Sequence, residues 1–358
     1  MPTPYWTNRP ARPDETAAVL QLVRAVHGEE HQELNEAYWR WRYLNEAGFR
    51  AEILMSECQG KPIGIQPLSV FDWQWGKARL KGAMYTGVLT HPDHRRRGVF
   101  RSLIDSSNEH SARCGALFSM TMPNDESMPG FMKFGDWISP GPVPVWLKIA
   151  DGAAALAPRI SRLPAAVLGP LSQAFFRPRG DSFGGSDLVC EPADLVPAEL
   201  DGVFDEFAGE CDALMLRRTA AYWNWRYGAK HGSAYRTLVA RQGGRLAGAV
   251  VTSVGRRMGL YVGMVLDVVG RGGVPVVRRL LREAETELRA RGLGLIACQA
   301  TSAMMEDALR AEGYRCPPPK WLPKQFHFVF RPTGLPGLHR LPSRLADWHL
   351  TFGDSDNT

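Results

Sequence analysis

The stretch His91-Pro92-Asp93-His94-Arg95-Arg96-Arg97-Gly98-Val99-Phe100 concentrates residues that can do chemistry. It lies between Ala83 to Thr90, which reads as a strand, and Gly98 to Arg113, whose apolar residues recur at helical spacing. The first amides of a helix have no partner inside it, and together with the helix dipole they favour an anion such as a phosphate. Gly98 has no side chain to obstruct that approach, and Arg95, Arg96 and Arg97 surround it with positive charge. The competing use of such a stretch is a solvated basic turn. The formal charge of +6 is small for 358 residues and is carried by Arg. A local anion site therefore accounts for it better than a nucleic-acid surface does.

Other chemistries find less support. No Gly-x-Ser-x-Gly nucleophile turn is present, and Cys114 closes a helix, so neither points to a covalent nucleophile. The cysteines at 58, 114, 190, 211, 298 and 316 form no CxxC pair, and the histidines form no set with metal spacing, so no metal is expected. Reduced thiols in a cytoplasmic protein fit this pattern. Met1 to Arg12 lacks the apolar core of a signal peptide, and no apolar run approaches the ~18 residues of a membrane span. No membrane association is expected.

The loop resembles the central motif of the GCN5-related N-acetyltransferases (GNAT), Arg/Gln-x-x-Gly-x-Gly/Ala after a strand that commonly ends in Val-x-Pro. Arg95-Arg96-Arg97-Gly98 and His91-Pro92 fit it, whereas Phe100 replaces the last small residue. Asn124, following the next strand, and the Lys133-x-Gly135 turn match two further family elements. The resemblance covers Tyr5 to Ile149 and, more faintly, Leu188 to Pro332. It implies that the amides of Arg96 to Phe100, through Gly98 and Val99, hold the pyrophosphate of acetyl-CoA. It also implies that Val88, Leu89 and Thr90 pair with the pantetheine arm, that an amide near Leu89 or Thr90 polarises the thioester, and that Asn124 bonds the cofactor arm.

The elements that must position this loop occur twice. Tyr38-Trp39-Arg40-Trp41-Arg42-Tyr43 returns as Tyr222-Trp223-Asn224-Trp225-Arg226-Tyr227, an offset of 184. The correspondence continues without a gap to Val70 and Val254, then falls to about 177, as between Leu103 and Leu280. The second copy is thus shorter by about eight residues between Val70 and Gly87, where the first holds Trp73 and Trp75. Trp73 and Trp75 suit packing against the second domain, a cover for the acceptor site, or a homodimer contact. The repeated aromatic block outlasts the loop, so it reads as structural, with Arg42 and Arg226 held by a carboxylate or carbonyl.

Within the first copy, Asp14 to Val26 reads as a helix capped by Asp14, and Glu52 to Phe71 as a hairpin. Ala116 to Met122 reads as a strand, Asp125 to Lys133 as a short helix, and Val143 to Ile149 as a last strand. The expectation is an α/β fold, an α+β mixed sheet built twice as tandem GNAT-like acyltransferase domains. Its divisions are 1–150, a linker at 151–185 with a helix over Ile160 to Phe176, a degenerate copy at 186–332, and a C-terminal tail at 333–358. In the second copy Pro275 takes the place of Gly98, and Thr301 or Ser302 that of Asn124, so no CoA is expected there.

The function so implied is N-acyl transfer from acetyl-CoA, or another acyl-CoA, to a small amine or amino sugar in a ternary complex. An alkylammonium acceptor needs a base. Members of the family often place a carboxylate on the strand before the loop, and here that strand offers only Tyr85 and Thr86. Glu29, Glu30 and Glu33 lie in the segment that borders the acceptor in the family; Tyr85 and Glu30 are the selected candidates. Phe131 stands where the family keeps a tyrosine acid. Two alternatives follow from these departures: a non-catalytic acyl-CoA sensor, and an aminoacyl or peptidoglycan-type transferase, which also uses tandem folds but lacks the Arg-rich Gly loop.

Overall fold

A computed structural model of the chain describes residues 5–44, 48–49, 51–151, 176, 187–228, 235–257, 260–322, 324–336 and 341–355. The expected linker and its helix therefore lie, apart from Asp151 and Phe176, outside the described residues.

The first half runs β1 (Thr7–Pro10), α1 (Thr16–His27), α2 (Glu36–Tyr43), β2 (Glu52–Cys58), β3 (Lys61–Trp75), β4 (Ala78–Tyr85), β5 (Leu89–Thr90), α3 (Val99–Arg113), β6 (Phe118–Thr121), α4 (Met128–Lys133) and β7 (Val145–Ile149). The second half runs β8 (Leu188–Ala193), α5 (Leu200–Cys211), β9 (Met215–Leu216), α6 (Ala220–Tyr227), β10 (Arg236–Gln242), β11 (Arg245–Arg257), β12 (Leu260–Gly270), α7 (Gly273–Ala290), β13 (Leu295–Gln299), α8 (Ala303–Ala311) and β14 (Val329–Pro332). The repeated blocks give matching helices, α2 and α6, and matching hairpins. Asp14 does not cap α1: it lies in a 3-10 turn, Pro13–Glu15, where Glu15 receives Arg9 and the Arg12 amide.

Each half builds a mixed sheet, in the orders β1-β2-β3-β4-β6-β14 and β7-β13-β12-β11-β10-β8. The outer strands are exchanged. β7, from the first half, pairs with β13 in the second sheet, and β14 pairs with β6 in the first. Divisions at 150 and 332 thus follow the sequence repeat but not the sheets. Alternating apolar residues specify a strand face, not which sheet edge receives it.

The halves are joined further by the residues special to the first copy. β3 continues to Trp75 and pairs with β9 through Trp73↔Leu216 and Gln74↔Met215. Trp73 is fully buried edge-on to Phe118 and Trp348. Of the uses considered for Trp73 and Trp75, packing on the second half is the one observed. Gly82 makes room for this contact, since a Cβ there would lie 2.5 Å from Phe118 and 2.8 Å from the Trp73 indole nitrogen.

Residues 341–355 are not a free tail. Trp348, His349 and Leu350 are completely buried, and Leu214 forms a parallel bridge with Trp348, its amide donating to the Asp347 carbonyl and its carbonyl accepting the His349 amide. They enter the second half where β12 and β13 part, because the ladder between these strands ends at Val265↔Cys298.

Candidate active site

β4 and β6 run parallel and paired from Gly82↔Phe118 to Tyr85↔Thr121. There the first strand leaves its neighbour. Thr86 donates to the Pro67 carbonyl, Gly87 turns through a φ of 56°, and β5 resumes on β3. The strand expected over Ala83 to Thr90 is therefore broken, and the break opens a wedge beside β6. His91 donates to Ile63 across from β5. Antiparallel pairs alternate between bonded and non-bonded, so Leu89, opposite Ile65, is the next bonded residue and the Thr90 amide faces away from β3.

The wedge leads to the basic loop. Arg96 (φ 62°) and Gly98 (φ 93°) are both left-handed, and Gly98 caps α3. Alternation of left-handed residues with ordinary ones is the backbone pattern of anion-binding nests. The amides of Val99, Phe100 and Arg101 have no partner within α3; the first bond is Ser102 to Gly98. A left-handed arginine costs about 1–3 kcal/mol that the rest of the loop must offset. Phe100 fits without distorting this start, because its ring lies over Gly130, where a Cβ would approach to 2.9 Å, and edge-on to Phe131.

A continuous cavity of about 860 Å³ joins this loop to the far end of the wedge. Val88, Leu89, Thr90, Arg95, Arg96, Gly98, Val99, Phe100 and Asn124 all line it, together with Tyr85, Arg101 and Lys133. Arg97 does not: its guanidinium lies 5.9 Å over the Tyr5 ring. Asn124 turns its carboxamide oxygen to the Ser127 amide and hydroxyl at 2.9 Å each, which leaves its N–H donors for another partner. The Thr90 hydroxyl is buried and has no hydrogen-bond partner among the described residues. Open amides, flanking arginines and a buried hydroxyl suit an anionic ligand with an extended, hydrogen-bonding arm.

The far end of the cavity holds the candidate bases. The Tyr85 hydroxyl is committed to Ser111 at 3.1 Å and Ser119 at 2.9 Å inside the core. Burial pushes its pKa up to about 12, so it is a neutral structural donor rather than a base. Glu30 is exposed and does not line the cavity. Glu33 does: its side chain is buried and its Oε1 accepts the Tyr43 hydroxyl at 2.7 Å. Two residues that sequence reasoning passed over stand beside it. His27 and His31 stack at 4.3 Å on the cavity wall, an i,i+4 spacing that could have flagged them. Burial lowers the pKa of both, and their mutual repulsion lowers that of His27 further. Asp354 and Ser355 reach the same wall from the C-terminal segment.

The second half answers this geometry differently. α7 begins at left-handed Gly272 (φ 97°), upstream of Pro275, so Gly272 is the structural counterpart of Gly98. The Glu210 carboxylate accepts the Gly272 amide at 3.1 Å and the Gly273 amide at 2.8 Å, and Arg271 faces Glu206 at 3.5 Å. Beyond it, Leu350 donates to Thr301 at 2.9 Å, and Ser302 meets His349 at 2.9 Å. A protein carboxylate takes the amides where an anion would sit, and the C-terminal segment fills the wedge.

A family model described as an acetyltransferase (GNAT) domain matches residues 7–137. Residues 7–137 are therefore similar to GNAT acetyltransferase domains. The match ends before β7, the strand that the first half gives to the other sheet.

No curated protein matches the chain. Among solved structures it is similar to a GCN5-related N-acetyltransferase from Anabaena variabilis, with a TM-score of 0.64 and 13% identity over 92% of this chain and 73% of that one. It is also similar to a probable N-acyltransferase from Enterococcus faecalis (TM-score 0.62, 9% identity, 92% and 73%). A GCN5-related N-acetyltransferase from Kribbella flavida gives a TM-score of 0.54 at 14% identity, over 91% and 71%. At these identities the likeness is one of fold, and it extends beyond the matched residues into the second half. Among the described residues, no helix is long and apolar enough to cross a membrane.

Proposed function

We propose that this chain transfers an acyl group, acetyl in the simplest case, from CoA to the primary amine of a small molecule. Transfer is direct, in a ternary complex, and one site per chain is active. The observation that carries this reading is the contrast between the two helix starts. The amides at the head of α3 open into a cavity, whereas those at the head of α7 are taken by Glu210.

Arg96 to Phe100 hold the pyrophosphate, and the outward amide of Thr90 is the donor to the developing oxyanion. Bound there, the cofactor supplies an activated thioester. An amine of pKa near 10.4 is about 1 part in 10³ free base at pH 7, a deficit of roughly 4–5 kcal/mol. Glu33 takes that proton at the far end of the cavity, its carboxylate held by the bond from Tyr43. Phe131, buried between Phe100 and Trp137, offers no leaving-group acid. A thiol of pKa near 8.5 makes free thiolate only about 2 kcal/mol uphill at pH 7, so the amine proton or water suffices.

Thiol release from acetyl-CoA, screened across amines, amino sugars and aminoglycosides, tests this. Turnover with at least one class supports it. Tight acetyl-CoA binding without turnover on any amine would favour a sensor instead.

A further inference from the structure

We infer that the C-terminal end of α3 carries a divalent metal site, with Glu52, His110 and Cys114 as ligands and zinc as the ion whose chemistry fits. His110 and Cys114 are one turn apart on a single helix face, and Glu52 opens β2 beside them. Their three donor atoms lie within 4.8 Å of one another. This is a convergence that the linear spacing of Cys and His does not show, because the third ligand comes from a strand more than fifty residues upstream.

One edge of the donor triangle already has the tetrahedral length. With Zn–N of about 2.0–2.1 Å and Zn–S of about 2.3 Å, the N···S edge of a tetrahedral site is about 3.6 Å. His110 Nε2 and Cys114 Sγ stand 3.6 Å apart. Glu52 Oε2 is 2.7 Å from the same nitrogen and must withdraw to roughly 3.4 Å to share an ion with it. Its side chain is 46% exposed and can make that adjustment, while His110 is held at 14%. The open side of Glu52 leaves water as a fourth ligand. A donor set of one sulfur, one imidazole and one carboxylate selects zinc over magnesium or calcium. Thiolate and carboxylate balance its two charges.

α3 spans 15 residues, so this site is about 20 Å from the loop at the other end of the helix. Its role is a staple: it fixes the end of α3 to β2, and with it the helix whose start presents Gly98.

The test uses the full chain freed of metal by a chelator and titrated with cobalt(II), whose near-ultraviolet charge-transfer band reports a thiolate ligand. One cobalt per chain is expected, displaced by zinc. The band disappears in Cys114→Ser, the affinity falls about tenfold or more in His110→Ala, and both persist in Cys58→Ser. Zinc raises the Tm of the wild type but not that of His110→Ala. Circular dichroism checks each fold, and Glu52→Gln replaces any variant that unfolds, with weakened cobalt binding expected. A folded wild type that shows no saturable band, or a band that survives in Cys114→Ser, would overturn the assignment.

Discussion

Trp41 and Trp225 stack at 5.0 Å with their planes 18° apart, and each indole N–H donates to the other's backbone carbonyl, at 2.8 and 3.4 Å. The same residue of each repeat thus meets its own counterpart. The repeated aromatic block is the seam of the molecule, and the exchanged strands β7 and β14 extend that seam outward. Arg226 donates to the Ser355 carbonyl and the Tyr235 hydroxyl, and Arg42 donates to the Thr86 hydroxyl.

Trp41→Ala should therefore weaken both halves at once. Loss of the ring and of its buried indole bond to the Trp225 carbonyl is expected to cost about 3–5 kcal/mol, read as a lower urea midpoint. Because the sheets share strands, fluorescence and far-ultraviolet dichroism should lose structure together. A cost below about 1 kcal/mol would show that the stack contributes little.

Glu33→Gln removes the proposed base but keeps the bond from Tyr43. The expected result is a fall in kcat of about 10²-fold or more, with acetyl-CoA affinity unchanged. Glu30→Gln and Tyr85→Phe should retain activity, and the latter should cost only about 1 kcal/mol of stability. If Tyr85→Phe abolished turnover while the protein stayed folded, the assignment of its hydroxyl to the core would be wrong in function.

The stacked pair His27 and His31 predicts a pH dependence. Both have folded pKa values below the unfolded 6.5. Below about pH 6.5 the unfolded chain binds more protons than the folded one, so stability rises with pH across that window and is lost as pH falls through it. Protonation also places positive charge beside Glu33, so the KM for a cationic amine should rise as pH falls through the lowered folded pKa values of the pair. In the His27→Asn, His31→Asn double variant that rise should flatten. An unchanged profile would mean that the pair does not face the acceptor.

Glu210→Ala frees the amides of Gly272 and Gly273. Losing a cap of this kind should cost about 0.5–2 kcal/mol. It should not create a second cofactor site, because His349 and Leu350 still hold Ser302 and Thr301 beside the end of β13. A second molecule of acetyl-CoA bound by this variant would show that the carboxylate alone closes the second half.

The loop, Asn124 and the order of elements were legible because each depends on local spacing: a strand end, a glycine at the helix start, an asparagine after the next strand. The base was not. Glu29, Glu30 and Glu33 look alike in sequence, and only the packing of Glu33 against Tyr43 and Gly87 turns it inward. The closed second half was half legible. Loss of the arginines showed, but Glu210 comes from a helix some sixty residues before the amides it caps. The C-terminal segment carried no periodicity that would announce a buried plug, since it is held by bonds to Thr301, Ser302 and Arg218.

Calorimetric titration with acetyl-CoA tests the central claim, that one of two related helix starts binds the cofactor. The account predicts one molecule per chain, binding abolished in Arg96→Glu with Gly98→Pro, and binding intact in Arg271→Glu. Two molecules per chain, or loss of binding in Arg271→Glu alone, would contradict it.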